Sequence, residues 1–217
     1  MGALRRLVAG LMIVLSTSWA ASAEVIDRIL AVVDTQIITL SDVRAALRFG
    51  LVPVDVSTDP TGAVLQRLID RRLMLIEVDR YAPPEPGEPA VNTSLAAVER
   101  RFKDALGLEI ALNQSALTRE ELRRHLRDTL RIEAYLQQRF STAVQVSDDE
   151  VLRYYREHPE DFMRDGQVRP FEEVRETVRT RVIENQLATF VTQWVEGLRK
   201  RGSVQLLYLP AARGGKD

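Results

Sequence analysis

Two histidines, several adjacent carboxylate pairs and one row of arginines are the residues here whose types could do chemistry. His125 and His158 are the two imidazoles of the chain. Neither sits at the His-x-x-x-His or His-Glu-x-x-His spacing that puts two ligands on one helix face, so each reads as a surface or partly packed residue. Cysteine is absent, which removes the thiolate needed for nucleophilic, redox or soft-metal work. No Gly-x-Ser-x-Gly turn presents a serine nucleophile, and no phosphate loop or dinucleotide fingerprint occurs. The pairs Glu120–Glu121, Asp148–Asp149 and Glu172–Glu173 each fall in a first helical turn, where they complement the helix dipole without any reaction. Arg119, Arg123, Arg124, Arg127 and Arg131, interleaved with Glu120, Glu121, Asp128 and Glu133, read as a solvated helix face rather than an anion site. The expectation is therefore no catalytic residue, no cofactor and no metal.

The elements that must position these groups are mostly helices. Residues 25–39 read as a short hairpin, an apolar run rich in β-branched residues that Asp34-Thr35 breaks and Ile37, Ile38 and Thr39 resume. Ser41 is expected to cap a helix from Asp42 to about Phe49, with Gly50 as its stop. Asp59 and Pro60 open a second helix reaching about Arg80, whose wide apolar face marks a central element. Val91, Leu95, Val98, Phe102 and Leu106 recur at helical steps, and a short helical piece covers residues 109–114. Thr118-x-x-Glu121 and Ser147-x-x-Glu150 are capping boxes opening helices that end near Phe140 and His158. Residues 162–169 read as a polar connection, and Pro170 opens a helix of about thirty residues ending at Gly202. Residues 203–208 form a last strand, whose natural partner is the opening hairpin. The fold class expected is mainly α, a helical module with a small antiparallel sheet joining the N-terminal hairpin to the C-terminal strand.

Arg5 and Arg6, an apolar run over residues 7–15 and Ala21-Ser22-Ala23 make the charge, apolar stretch and cleavage site of a secretory signal peptide. The run is about half the roughly 20 residues a membrane span needs. Cleavage is expected after Ala23, leaving a periplasmic chain. Removing residues 1–23 takes away two arginines and no acid, moving the net charge from −1 to −3. That balance argues against nucleic acid as a partner. The domain reading is a signal peptide at 1–23, one domain at 24–209 and a disordered tail at 210–217.

Residues 25–43, with Ala31-Val32-Val33-Asp34 and Leu40-Ser41-Asp42-Val43, resemble the opening of mature SurA-type chaperones. Residues 65–77 resemble that family's next long helix. Residues 116–123 resemble its Gly-Leu-Thr-x-Glu-Glu-Leu step, with Ala116 where glycine is usual. Residues 146–155 and 169–174 resemble the helices that lead into and out of its prolyl-isomerase (parvulin) domain. These segments occur in family order. About ten residues separate Pro159 from Pro170, where the family carries parvulin domains of about a hundred. The resemblance thus implies a discontinuous core, 24–158 plus 170–209, with 159–169 as a linker in place of parvulin. It implies a periplasmic, ATP-independent chaperone that binds unfolded polypeptides, outer-membrane proteins above all, with no nucleotide, and leaves room for a homodimer. The competing readings are an isomerase-related foldase and an accessory subunit of a secretion or assembly system. Apolar side chains expected exposed near loops, and so at the client surface, are Phe49, Leu51, Val52 and Tyr81.

Overall fold

A computed structural model describes residues 27–54, 57–115 and 117–209. The expected signal peptide, its cleavage point, the first residues of the hairpin and the tail lie outside these. Strand β1 (Ile29–Val33) is the middle of a three-stranded antiparallel sheet, between β2 (Gln36–Thr39) and β5 (Val204–Leu206). The hairpin turns at Asp34, whose φ of 52° is one that a short polar side chain tolerates. That turn is stapled to the far end of the chain. The Asp34 N–H donates to the Ser203 carbonyl at 2.8 Å, and the Ser203 N–H donates to Asp34 Oδ1 at 3.3 Å. Beyond β5, the Leu207 and Tyr208 N–H groups both donate to the Leu30 carbonyl. Tyr208 also donates its hydroxyl to Asp59 Oδ1 at 2.8 Å. The expected closure of the two chain ends is present.

Seven α-helices make up most of the rest of the described residues: α1 (Leu40–Phe49), α2 (Pro60–Tyr81), α3 (Glu88–Arg101), α4 (Ala105–Gln114), α5 (Arg119–Phe140), α6 (Asp148–Glu157) and α7 (Phe171–Arg201). Thr39, not Ser41, caps α1. Thr39 Oγ1 accepts from the Asp42 N–H while the Asp42 carboxylate accepts from the Thr39 N–H, a capping box closed by the shorter acid. Ser41 instead donates its backbone N–H to Asp27. Gly50 ends α1 in the left-handed region, φ 57°. Asp59 caps α2, and Thr118 and Ser147 close their boxes as expected. Leu106 does not continue the α3 stripe. Lys103 turns the chain at φ 74°, Asp104 caps α4 and Leu106 is left 69% exposed.

The buried side chains group into separate clusters. Leu30, Ala31, Val33 and Ile38 of the sheet meet Val43 and Ala46 of α1, Val64, Leu65, Ile69 and Leu73 of α2, and Leu198 of α7. Gly202 lets α7 end against α2, since a Cβ there would lie 2.6 Å from Leu73 Cδ2. A second cluster joins α1, α3, α4 and α5 through Phe49, Val98, Leu108, Leu112 and Leu122. A third lies apart. Val151 of α6, Phe162, and Val174, Val178 and Val182 of α7 pack together. The expected polar connection is itself folded here. Residues Pro159–Phe162 form a 3-10 turn that buries Phe162. Then β3 (Met163–Arg164) and β4 (Gln167–Val168) pair around Asp165-Gly166, both at positive φ, the two-residue turn that dipeptide favours. Helix α7 spans about 46 Å at 1.5 Å per residue and links the third cluster to the first. Between Val182 and Leu198 it has no fully buried residue.

Replacing Leu30 by Ala is expected to lower the free energy of unfolding by about 2–5 kcal/mol, because it opens the sheet core where the two chain ends meet. Ile37→Ala, on the exposed side of β2, is expected to change it by less than about 1 kcal/mol. Urea denaturation followed by circular dichroism measures both.

Candidate functional site

The arginine row of α5 is not simply solvated. Arg119 reaches Glu99 of α3 at 2.8 Å and Glu109 of α4 at 2.5 Å. Arg123 and Arg127 both hold Glu88 at the start of α3, and Arg123 also donates to Asn92 at 2.8 Å. Arg131 takes Asp79 at 2.8 Å and lies 3.0 Å from Glu85, its Nε out of line for a hydrogen bond. Burial works against the Arg131 charge, yet Asp79, Glu85 and Asp128 raise its pKa on balance. The row is therefore a ladder that clamps α5 to α2, α3 and α4. Its partners lie partly exposed, where each pair is worth about 0–1 kcal/mol. Sequence spacing showed the charges but not the partners, which lie ten to more than fifty positions away.

Neither histidine joins a metal-ligand group, and no such cluster occurs among the described residues. His158 stacks on Tyr154 at 4.1 Å between ring centres and lies against its carbonyl. His125 lies on the inner side of α5, with Nε2 3.4 Å from the Leu51 carbonyl. Burial first, and then the positive Arg71 and Arg72, push its pKa down to about 4, against a smaller upward pull from that carbonyl. The carboxylate pairs stand in first helical turns, as expected.

The most informative concave surface runs along α2. One cavity of about 270 Å³ is walled by α1, α2 and α5. A second, of about 500 Å³, lies between α2, α5 and α7. Leu51 and Arg71 line both. The larger crevice has an apolar floor of Leu51, Val52, Pro53, Met74, Ile132, Val191 and Val195, with Asp70, Glu133, Glu196 and Arg199 around it. It forms because α7 touches α2 near Leu198 but leaves Val191 and Val195 only half-buried. Arg71 is the one buried charged side chain among the described residues, at 8% exposure. Its guanidinium donates to Thr129 Oγ1 at 2.9 Å and to the His125 carbonyl at 2.7 Å. Burial pulls its pKa down to about 10, against the attraction of Asp128 and Glu133. Nothing in the Arg71-Arg72 dipeptide distinguishes the inward arginine; the apolar period of α2 is the only signal that could.

Of the four side chains expected at the surface, the structure brings two to it. Phe49 is 1% exposed and packs on Phe102, because the α1 stop at Gly50 folds it under α3 and α4. Val52 is 8% exposed, in the crevice floor. Leu51 is half-buried between the two cavities. Tyr81 is 61% exposed and starts a run of rings that sequence spacing did not reveal. Tyr81 lies 5.6 Å from Tyr135, Tyr135 lies 5.6 Å from Trp194, and Phe140 lies 6.1 Å from both Trp194 and Phe190. The Arg139 guanidinium sits 5.5–5.9 Å from three of these rings, within cation–π range. The run joins the ends of α2 and α5 to the middle of α7, and Trp194 and Met74 pack in one cluster with Ile132 of the crevice.

Comparison with known proteins meets the resemblance read from the sequence. No family model matches the chain. Two curated relatives, each described as "Chaperone SurA", from Bordetella pertussis and Bordetella bronchiseptica, are 30% identical over 140 residues. The match covers 61% of this chain and 27% of each relative, so the chain spans about a quarter of the relatives' length. A chain from the structures of PEB4 and Cj1289, described as two structurally related SurA-like chaperones of Campylobacter jejuni, superposes with a TM-score of 0.51 at 13% identity. It is covered over 100% of its length and matches 84% of this chain. The chain is thus a SurA-like module in fold, mainly helical with a small antiparallel sheet. No helix among the described residues is long and apolar enough to cross a membrane.

His125 gives this site a pH response. Between its ordinary pKa of 6.5 and its folded value of about 4, the unfolded chain binds a proton there and the folded chain does not. Stability therefore falls as pH is lowered through that window, by up to about 3 kcal/mol. Urea titrations at pH 7.5 and 4.5 are expected to show His125→Gln losing less stability on acidification than the unaltered chain, by about 2 kcal/mol.

Proposed function

We propose that this chain acts in the periplasm as an ATP-independent chaperone module, sheltering unfolded polypeptides, outer-membrane proteins among them, in the crevice between α2, α5 and α7. The observation that carries this is the open apolar floor of that crevice, flanked by charged residues and adjoining the aromatic run. An unfolded chain offers apolar and aromatic side chains, and a concave surface of this size takes up a few of them at a time. Rings and a guanidinium in partial contact with water bind other rings with weak, sequence-tolerant energy. Holding of this kind needs no bond-making step, so the reading assigns no catalysis. The similarity to proteins named as SurA chaperones supports the same class, and the signal-peptide pattern of residues 1–23 supports export.

Leu51 and Tyr81 are the members of the expected client set that reach the surface. In this reading Val52 forms part of the floor, and Phe49 holds the loop that carries Leu51 and Val52. Residues 159–169 stand where the resemblance places an isomerase domain, and in this reading their short hairpin joins α6 to α7 in its place.

The test is aggregation of a urea-unfolded outer-membrane protein on dilution, followed by light scattering without ATP. Several-fold molar excess of the chain is expected to suppress most of the scattering. Val191→Glu combined with Val195→Glu, both half-buried crevice positions one helical turn apart on α7, is expected to raise the excess required for suppression by at least roughly tenfold, because a carboxylate in an apolar contact costs more than the about 1–3 kcal/mol of a neutral polar group. Absence of suppression by the unaltered chain would refute the proposal.

A further inference from the structure

The smaller cavity, between α1, α2 and α5, has charges of both signs in its wall, but they are not equivalently engaged. Its acids are Asp42, Glu121 and Asp128, and its bases are Arg71, Arg72 and Arg124, with His125 beside them. Each acid is occupied. Asp42 accepts the backbone N–H and the hydroxyl of Thr39 in the α1 cap. Glu121 does the same for Thr118 in the α5 cap. Asp128 pairs with Arg131 at 3.6 Å. The bases are not. Among the described residues, none of Arg71, Arg72 and Arg124 has a carboxylate within the 4.0 Å of an ion pair. Arg71 is the extreme case, 8% exposed and donating only to a hydroxyl and a carbonyl. A guanidinium carries five N–H donors in a rigid fork. A buried one whose nearest carboxylates, Asp128 and Glu133, stay beyond ion-pair distance is costly, unless something supplies a closer anion when the protein works.

We propose that this cavity takes the chain-terminal carboxylate of a polypeptide lying in the neighbouring crevice, received on the unused N–H groups of Arg71 with Arg72 and Arg124 around it. The inference rests on the crevice holding polypeptide and adds which end of that polypeptide is recognised. Leu51 and Arg71 line both cavities, so the two adjoin across these side chains. At about 270 Å³ the smaller cavity has room for a terminal residue rather than a long passing segment. A carboxylate on an arginine fork makes two charge-assisted hydrogen bonds, which a terminal amide cannot reproduce.

The experiment uses a fluorescein-labelled peptide of about ten apolar and aromatic residues, made with a free carboxylate and, separately, with a terminal amide. Fluorescence anisotropy is expected to show the acid binding the intact chain roughly tenfold tighter. Arg71→Met is expected to abolish that preference. Should Arg71→Met fail to fold, the pair Arg72→Ala and Arg124→Ala, on a half-buried and an exposed residue, carries the test. There the acid-to-amide ratio is expected to fall below about threefold, with an unchanged thermal melt. Equal affinity for acid and amide overturns the proposal, and if both forms bind, the chaperone reading stands. An amide peptide carrying one internal aspartate that binds as tightly as the acid also overturns it. If neither form binds and aggregation is not suppressed, the crevice reading fails with it.

Discussion

Strand β1 is hydrogen-bonded on both edges, to β2 within its own hairpin and to β5 from the far end of the chain, and the positions of the helices follow from that double pairing. The apolar face of this three-stranded sheet must be buried against another element, and here α1, α2 and the end of α7 cover it. Pairing residues 204–206 with residues 31–33 fixes where α7 must end, and the contact of Gly202 with Leu73 brings that end directly onto α2. Tyr208 then ties the same segment to Asp59, the residue that caps α2. One helix is therefore held at its start and the other at its finish by a single small sheet.

That attachment explains why a crevice exists. Helix α7 is fixed at Leu198 and, far along its length, packs at Val174, Val178 and Val182 in a cluster of its own with α6 and Phe162. Asp148 reinforces that remote cluster by pairing with Arg175 and Arg179, whose hydrogen bonds, Arg175 first, hold its carboxyl below the usual range. The stretch between the two attachments crosses α2 and α5 without sinking into them. It rests on rings, Trp194 on Tyr135 and Phe140, and Phe190 on Phe140. Rings pack well with one face still wet, so the span is supported while Val191 and Val195 stay open to the crevice. The arginine ladder of α5 fixes the opposite wall. Its many partly exposed pairs add register more than stability.

The sequence made local signals legible and distant ones obscure, for a physical reason. Asp59-Pro60, Thr118-x-x-Glu121 and Ser147-x-x-Glu150 announce helix starts because the groups that satisfy each other lie three residues apart. Thr39-x-x-Asp42 carries the same information with a shorter acid, which leaves Ser41 the more conspicuous cap in the sequence. The last strand and its partner were readable because an apolar edge needs one. The burial of Phe49 is not legible, because its neighbour Gly50 marks a stop without saying which cluster the stop folds against. Arg71 and Arg72 are the same residue type side by side, and the first is the one buried against α5. The aromatic run joins three helices far apart in the chain, a closeness that no spacing encodes. Residues 162–169 are legible only as a polar connection; the Asp165-Gly166 hairpin within them and its anchoring through Phe162 are not.

The most direct test of the crevice as the place where unfolded chain is held is site-specific photocrosslinking. A benzophenone side chain placed at Leu51 or Thr192, both in the crevice wall, should label an unfolded outer-membrane protein on illumination. The same group at Leu106, exposed and apolar on α4 but outside the crevice, should label it only weakly. Equal or stronger labelling from Leu106 would contradict the account.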